Sequence, residues 1–142
     1  MITMEKNTSL NNLFVSIEEM RAVIALSPQE RYNYTLKRIA DTEIMWTIGT
    51  TDNFIITQVC ENQKLFSVWS AKEYAQKFCE TSFLEYECIA ITLEYFESEI
   101  IDMICCKDIK MNVFPKSVDS VGLIVDINTF ADDLGKILED YD

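Results

Sequence analysis

The sequence predicts a single α+β domain whose largely antiparallel or mixed sheet of about five to six strands is flanked by helices. Two patterns support this prediction. Segments with apolar residues three or four apart, typical of amphipathic helices, occur at both ends and in the middle of the chain. Between them lie short β-branched runs bounded by turn residues, which are typical of strands. Because no stretch has the composition of a linker, we expect one domain over residues 1–142, with residues 1–9 flexible.

Two helices are predicted at the start of the chain. The first covers Leu10–Leu26, where the apolar residues repeat at helical spacing. The second follows Ser27, which is expected to cap it, with Pro28 at the first helical position and Glu30 completing a capping box. This second helix is expected to run to about residue 40.

Three β-rich runs follow the second helix. Their connections are too short for parallel crossovers, so we expect an antiparallel meander. After them, Ser70 is predicted to cap a short helix over Ala71–Glu80. The three runs are Ile44–Thr50, Phe54–Cys60 and Leu65–Trp69.

The remainder of the chain alternates between strands and helices. Thr92 is predicted to end a strand that begins at Glu87 and to cap a helix that reaches about Cys106, with Leu93, Phe96, Ile100 and Ile104 facing the core. Two further strands are expected to pair as a hairpin, and Asp126 or Asn128 is expected to start the terminal helix, which runs through Tyr141. These two strands are Lys110–Phe114 and Gly122–Asp126.

Charge is unevenly distributed along the chain. Residues 72–142 hold 16 Asp/Glu against 6 Lys/Arg, whereas residues 1–71 hold 8 against 6, and the formal net charge is −12. A chain this acidic repels nucleic acid and anionic membranes, so we expect neither as a partner. Arg31 and Arg38, seven residues apart on the second helix, are therefore expected to pair with nearby acids. No apolar run approaches the about 20 residues needed to cross a bilayer, and we expect a cytoplasmic protein.

The five cysteines do not suggest a disulfide framework. Their number is odd, none forms a Cys-x-x-Cys pair, and they lie in apolar segments, so buried thiols are expected. The adjacent pair Cys105 and Cys106 is compatible with a strained disulfide or a soft-metal site. Adjacent side chains on a helix diverge by about 100°, however, and two thiols flanking the core are the favoured interpretation.

No motif indicates catalysis or cofactor binding. The chain has no histidine, so the most frequent general base is absent, and no glycine-flanked serine elbow occurs. Gly49, Gly122 and Gly135 are isolated, which excludes a glycine-rich phosphate loop. We therefore expect no catalytic residue, no metal site, no cofactor and no enzymatic activity.

Three segments form a recognisable combination of residues. The first joins Ser27–Asp41 to Trp46, the second is Phe66–Ala75, and the third links Val113-Phe114-Pro115 to the segment 122–134. In order and spacing they resemble a bacterial family of unknown function, family 2750. The strand–Trp–Ser–helix and Phe-Pro…Gly…helix segments also resemble the N-terminal domain of SseB-type proteins, which implies a compact α+β domain. The chain departs from the family pattern in having few glycines. The resemblance implies a fold and carries no activity.

Five residues are the candidates for partner binding. Glu94, Glu97 and Asp102 are expected on the solvent face of one helix, where they form an acidic stripe, and Trp69 and Phe83 are expected in turns, where aromatic residues anchor interfaces. We therefore expect a non-enzymatic module that binds a basic protein, by analogy with acidic immunity and antitoxin proteins. The alternatives are a small-ligand binder or enzyme with a pocket between the sheet and the Leu93–Cys106 helix, and a homodimer.

Overall fold

The structure is a computed structural model that describes residues 15–49, 58–60, 63–80, 86–117 and 121–140. It contains helices and strands in mixed order, so the α+β prediction is confirmed. The helices are α1 (Ile17–Ile24), α2 (Pro28–Thr42), α3 (Lys72–Cys79), α4 (Leu93–Tyr95, Phe96–Ile100 and Ile101–Cys106) and α5 (Ile127–Glu139). The strands are β1 (Ile44–Gly49), β2 (Gln58–Cys60), β3 (Gln63–Val68), β4 (Glu87–Thr92), β5 (Ile109–Val113) and β6 (Leu123–Val125).

Side-chain caps fix the starts of the first two helices. The Ser16 hydroxyl accepts from the Glu19 N–H at 3.0 Å and starts α1. At α2 the predicted capping box is present, because the Ser27 hydroxyl accepts from the Glu30 N–H and the Glu30 carboxylate accepts from the Ser27 N–H. Helix α2 ends at Glu43, which adopts a left-handed conformation with φ 62° and donates its N–H to the Ile39 carbonyl.

The described strands form two sheets. Strands β2, β3, β5 and β6 form a mixed sheet in that order, in which β3 and β5 are parallel and the other pairs are antiparallel. Strand β1 pairs antiparallel with β4 over six residues, a long-range pairing that the short connections did not reveal. The predicted antiparallel pairing of the second and third runs is confirmed at β2 and β3, while the expected pairing of the first run with residues 54–57 lies outside the described residues. The predicted hairpin of β5 and β6 is confirmed.

Among the described residues, one isolated β-bridge joins the two sheets at two tryptophans. The Trp46 N–H donates to the Trp69 carbonyl at 2.8 Å, and the Trp69 N–H donates to the Trp46 carbonyl at 2.9 Å. The predicted turn at Thr51-Asp52-Asn53 lies outside the described residues. The bridge holds the end of β3 beside β1.

One hydrophobic cluster contains buried side chains from all five helices and from both sheets. The predicted inward stripe of α4 is confirmed, since Leu93, Phe96, Ile100 and Ile104 are all buried. The Phe96 ring packs edge-on against Phe130 of α5, with the ring centroids 5.7 Å apart. Within the described ranges, no helix is both long and apolar enough to cross a bilayer.

Candidate functional site

An acidic surface lies on the outer side of α4. The Thr92 hydroxyl accepts from the Tyr95 N–H at 3.1 Å, which confirms the predicted cap and fixes the start of the helix. Because the inward residues are held in the core, the carboxylates of the helix point to solvent, and all four are exposed. We call these residues the acidic face: Glu94, Glu97, Glu99 and Asp102.

The middle of α4 departs from α-helical geometry. Residues Phe96–Ile100 form a π-helical turn, whereas the sequence predicted an uninterrupted helix. The Ser98 hydroxyl makes a 3.5 Å contact with the Tyr95 carbonyl, a side-chain interaction that competes with the regular backbone ladder. The wider turn carries Glu97, Ser98 and Glu99 as three consecutive exposed residues between two buried ones. Turns of this type occur frequently at functional sites.

The acidic face has no local counter-charge. No lysine or arginine occurs between residues 93 and 106. In the part of the chain that the structure describes, none of its four carboxylates forms an ion pair or accepts a hydrogen bond; the ion pairs there join Arg38 to Asp41 at 3.7 Å and Lys110 to Asp126 at 2.9 Å. The end of α4 contacts α5.

The aromatic candidates do not join this surface. Trp69 is completely buried, its ring packs on Phe78 with centroids 5.0 Å apart, and its indole N–H donates to the Pro115 carbonyl at 3.0 Å. The prediction that Trp69 anchors an interface is therefore wrong, because its ring fills the core and its polar edge binds the backbone. Phe83 lies outside the described residues.

The cysteine prediction is wrong for the adjacent pair. Cys79 is buried and Cys88 is half-buried, and burial raises the pKa of the Cys88 thiol to about 11. Cys105 and Cys106, in contrast, are both exposed. They are the last two residues of α4.

A second cluster of polar groups lies inside the molecule. The Thr47 hydroxyl donates to the Ser67 carbonyl at 2.8 Å, and the Asn112 amide nitrogen donates to the Ser67 hydroxyl at 3.2 Å. The Asn112 amide oxygen accepts from the Gly122 N–H at 2.7 Å. These contacts tie β1, β3, β5 and the start of β6 together. We call Thr47, Ser67, Trp69, Asn112 and Gly122 the buried joint.

The backbone beside the buried joint is strained and tightly packed. Phe114 has φ 57°, a left-handed conformation that is unusual for a bulky residue, and it donates its N–H to the Val68 carbonyl at 2.9 Å. Gly122 packs against the same segment, where a Cβ atom would overlap the Val113 carbonyl oxygen and lie 2.7 Å from the Phe114 carbonyl carbon. Only glycine leaves room for this approach. The Phe-Pro…Gly motif therefore allows two backbone segments to pack in direct contact.

An aromatic and arginine cluster covers Phe114. The Tyr74 ring centroid lies 4.6 Å from that of Phe114, and the Arg31 guanidinium carbon lies 5.8 Å from it on another side. Tyr34 donates its hydroxyl to the Glu19 carboxylate at 2.6 Å and lies 2.9 Å from the Tyr74 hydroxyl. Burial is the main cause that raises the pKa of Tyr74 to about 12, and burial together with the Glu19 contact raises that of Tyr34 further.

Arg31 pairs with no acid of the described ranges, contrary to the prediction. One terminal nitrogen of its guanidinium donates to the carbonyls of Ile24 and Leu26, at 3.3 and 2.6 Å. These hydrogen bonds provide donors for carbonyl groups at the end of α1. Burial lowers the Arg31 pKa from its ordinary value. The expected pairing does hold for Arg38, which meets Asp41.

Two buried polar atoms in this region have no protein partner among the described residues. They are Nε of Arg31 and Oγ of Ser70. The prediction that Ser70 caps α3 is therefore wrong: Ala71 occupies the cap position, and no side chain there bonds to the helix. Sequence spacing placed a capping residue near the start of the helix but did not reveal that the helix begins one residue later.

No metal centre is apparent in residues that the structure describes, where no group of three or more Cys, Asp or Glu side chains is suitably placed to hold an ion. The acidic face is thus a row of separate carboxylates. It is negatively charged, but its carboxylates are not arranged to coordinate a metal ion.

A family model matches most of the chain. A model described as protein of unknown function (DUF2750) matches residues 32–134, which include the buried joint, Phe114 and the acidic face. The chain belongs to the DUF2750 family. The predicted family resemblance is thereby confirmed, while the resemblance to SseB-type proteins stays a prediction. None of the curated proteins that were compared matches the chain.

The structure gives the motif residues of the family resemblance a structural role. The Trp-Ser segment and the Phe-Pro…Gly segment, on which the resemblance depended, meet at the Trp69–Pro115 hydrogen bond. Asn112 and Arg31, which hold neighbouring elements together, were not singled out as site residues. A buried polar residue inside an apolar strand, as in Ile109–Val113, is the signal that identifies Asn112.

Proposed function

We propose that this DUF2750 domain is a non-catalytic protein-binding module that recognises a basic surface on its partner through the acidic face of α4. The observation that carries the proposal is the set of four exposed carboxylates on one helix, with no basic residue between positions 93 and 106. A cytoplasmic role in neutralising a basic protein, as immunity and antitoxin proteins do, is the corresponding biological expectation.

The packing of α4 supports this proposal. Its inner side is held in the core by Phe96, Ile100 and Ile104, so the carboxylates extend from a helix that is anchored on its other side. A fixed array of like charges attracts an oppositely charged protein over distances of about a Debye length and accelerates association. Because these carboxylates have no partner among the described residues, binding a cation does not first require an internal ion pair to break.

The residues available for chemistry also favour binding over catalysis. The chain has no histidine, and the buried tyrosines around Phe114 hold their protons far above neutral pH. The space behind α4, where a ligand pocket was the alternative expectation, is occupied by packed apolar side chains such as Phe96 and Phe130.

The proposal is tested by capture of partners with three matched baits. The first bait is the unchanged chain, and the second carries E94K, E97K and D102K. The third carries E18K, E80K and E139K, three exposed acids on other helices or their ends, so both variants change the formal net charge from −12 to −6. Proteins retained at low salt are eluted at high salt and identified by mass spectrometry.

We expect the first and third baits to retain the same basic protein and the second bait to lose it. Recovery of that protein on the second bait at the same yield would contradict recognition by the acidic face. Equal loss from both variants would show that total charge governs binding and would also contradict it.

A second candidate function is the binding of a small anion beside Arg31. It is favoured by the two buried polar atoms without a described protein partner, Arg31 Nε and Ser70 Oγ, in the region of the strained Phe114. Thermal unfolding in phosphate, compared with chloride at equal ionic strength, tests it. A midpoint that rises with phosphate concentration and saturates supports an anion site, whereas equal midpoints in the two salts contradict it.

A further inference from the structure

Strand β4 has one open edge. Among the described residues β4 pairs with β1 alone, and these two strands form a sheet without a third member. Within the same ranges, no backbone hydrogen bond joins the outer side of β4 to another segment. A strand edge of this kind is a template on which a further strand can pair.

The hydrogen bonds of Trp46 show which backbone groups of β4 face outward. The Trp46 N–H and C=O both bond to Trp69 and therefore point away from β4. Ala90 is the residue of β4 opposite Trp46, so its own N–H and C=O point to the open edge. The bond from the Leu93 N–H to the Glu43 carbonyl fits this alternation, because Leu93 lies an odd number of residues after Ala90. The outward groups are therefore those of every second residue, with Ala90 in the middle.

The open edge of β4 lacks the features that usually prevent edge-to-edge pairing. Proteins protect such edges with short strands, charged side chains, prolines or bulges. Strand β4 pairs with β1 over six residues in continuous register, and residues 88–93 include no charged residue, glycine or proline. Strands β2 and β6, at the edges of the other sheet, have three residues each. The edge of β4 is thus the longest strand edge of the described chain that remains unpaired.

We propose that β4 pairs antiparallel with β4 of a second copy of this chain, about a two-fold axis at Ala90. An antiparallel pair of identical strands is self-complementary, because a two-fold axis brings the same groups together from both copies. Ala90 then exchanges both of its hydrogen bonds with Ala90 of the second copy, and Cys88 lies opposite Thr92 of that copy. The two β1–β4 sheets become one continuous sheet.

Charge favours a second copy as the occupant and this position of the axis. The formal net charge of each chain is −12, so two copies repel each other wherever their carboxylates meet. With the axis at Ala90, Glu87 lies opposite Leu93 of the second copy, and no two carboxylates meet across the paired strands. An axis at Cys88 would pair only three residues of each strand. The uncharged edge has no group that would select a basic peptide instead.

This dimer does not depend on the proposed protein-binding function. Strand β4 ends at Thr92, before the first carboxylate of the acidic face, so E94K/E97K/D102K leaves the edge unchanged. Loss of the dimer is measured as mass and loss of the basic partner as capture, and the two results are separate.

The experiment is sedimentation equilibrium of the full-length, reduced chain at about 1 to 200 µM, since the dimer fraction depends on concentration. Ile89→Lys places a charge on the open edge, and Ala90→Pro removes the outward N–H without removing a bond to β1. The matched control is Ile124→Lys, which makes the same charge change at another half-buried residue, on the edge strand β6. Circular dichroism shows which variants are folded.

We expect the unchanged chain and Ile124→Lys to form dimers with dissociation constants within about threefold of each other. Ile89→Lys and Ala90→Pro are each expected to weaken the dimer at least tenfold, by about an order of magnitude or more. If one of them does not fold, the other decides. A single-chain mass of the unchanged protein at every concentration would overturn the proposal, and so would an undiminished dimer in a folded edge variant or equal weakening by Ile124→Lys.

Amide hydrogen exchange measured by NMR locates the interface. The Ala90 N–H is expected to be protected at concentrations where the dimer forms and to exchange rapidly in Ile89→Lys. The Ile91 N–H faces β1 and serves as the reference, protected in both proteins. A dimer in which the Ala90 N–H exchanges as fast as in Ile89→Lys would use another surface and would overturn the proposal.

Discussion

The buried joint and the acidic face use polar side chains in opposite ways. In the buried joint, the Asn112 side chain bonds to both Ser67 and Gly122, and the Trp69 indole N–H has an acceptor in Pro115. On the acidic face, four carboxylates have no partner among the described residues. Polar groups out of contact with water must bond to each other, whereas exposed groups remain available to another molecule. The residues that make this sequence distinctive therefore stabilise the fold, and the proposed binding surface is made of ordinary charged residues.

The largest expected effect is that of Gly122→Ala in the buried joint. The new Cβ atom would overlap the Val113 carbonyl oxygen, and because that neighbour is backbone, the strand pair has to separate. We expect a loss of at least about 3 kcal/mol in the free energy of unfolding, measured by urea denaturation. The control is Gly135→Ala, where a Cβ meets no atom within 4 Å and a gain of about 0.5 to 1 kcal/mol is expected. Equal effects of the two substitutions would show that Gly122 is not closely packed.

A smaller loss is expected from Asn112→Ala. The substitution removes the acceptor of the Gly122 N–H and leaves that buried donor unpaired, at a cost of about 2 kcal/mol. The exposed Asn128 on α5 provides the control, for which Asn128→Ala is expected to change stability by less than about 0.5 kcal/mol. Urea denaturation measures the free energy of unfolding of both variants. An equal loss in the two would show that the Asn112 side chain does not stabilise the buried joint.

Alkaline pH is expected to lower the stability of the fold through the buried tyrosines around Phe114, beside the buried joint. The folded chain raises the pKa of Tyr74 from 10.0 to about 12, so between these values the unfolded chain has lost a proton that the folded chain still holds. Stability that is complete below pH 10 therefore falls as the pH rises, by at most about 1.4 kcal/mol per pH unit for each such group. Urea midpoints from pH 8 to 11.5 measure this, and Tyr74→Phe is expected to reduce the slope. A slope unchanged by that substitution would contradict the assignment.

The smallest effect on stability is expected on the acidic face. The triple variant E94K/E97K/D102K breaks no described hydrogen bond or ion pair, so we expect the free energy of unfolding to change by less than about 0.5 kcal/mol. Urea denaturation of the triple variant and of Asn112→Ala compares the acidic face directly with the buried joint. A loss of 2 kcal/mol or more would mean that the acidic face contributes to the fold.

Local sequence patterns predicted the elements well because their causes are local. The capping box at Ser27 and Glu30 and the cap at Thr92 each depend on residues within one turn. The spacing of Leu93, Phe96, Ile100 and Ile104 depends on the period of the helix, and all four residues are buried. These features need no knowledge of the rest of the chain.

The features that the sequence did not predict arise where distant segments meet. The antiparallel register of β1 with β4 and the burial of Trp69 depend on packing between segments far apart in sequence. The exposure of Cys105 and Cys106 was likewise not apparent from the spacing along one helix. For the candidate site, the sequence predicted that Glu94, Glu97 and Asp102 face solvent, and it did not predict the π-helical turn between them.

The most direct test of the central claim is the association rate constant of the captured partner with the three baits at low and at moderate ionic strength. We expect E94K/E97K/D102K to associate at least tenfold more slowly than the unchanged chain at low salt, and E18K/E80K/E139K to differ from it by less than about twofold. Added salt should bring the unchanged chain and the first variant closer together. Equal rate constants for the two variants at low salt would contradict recognition through the acidic face of α4.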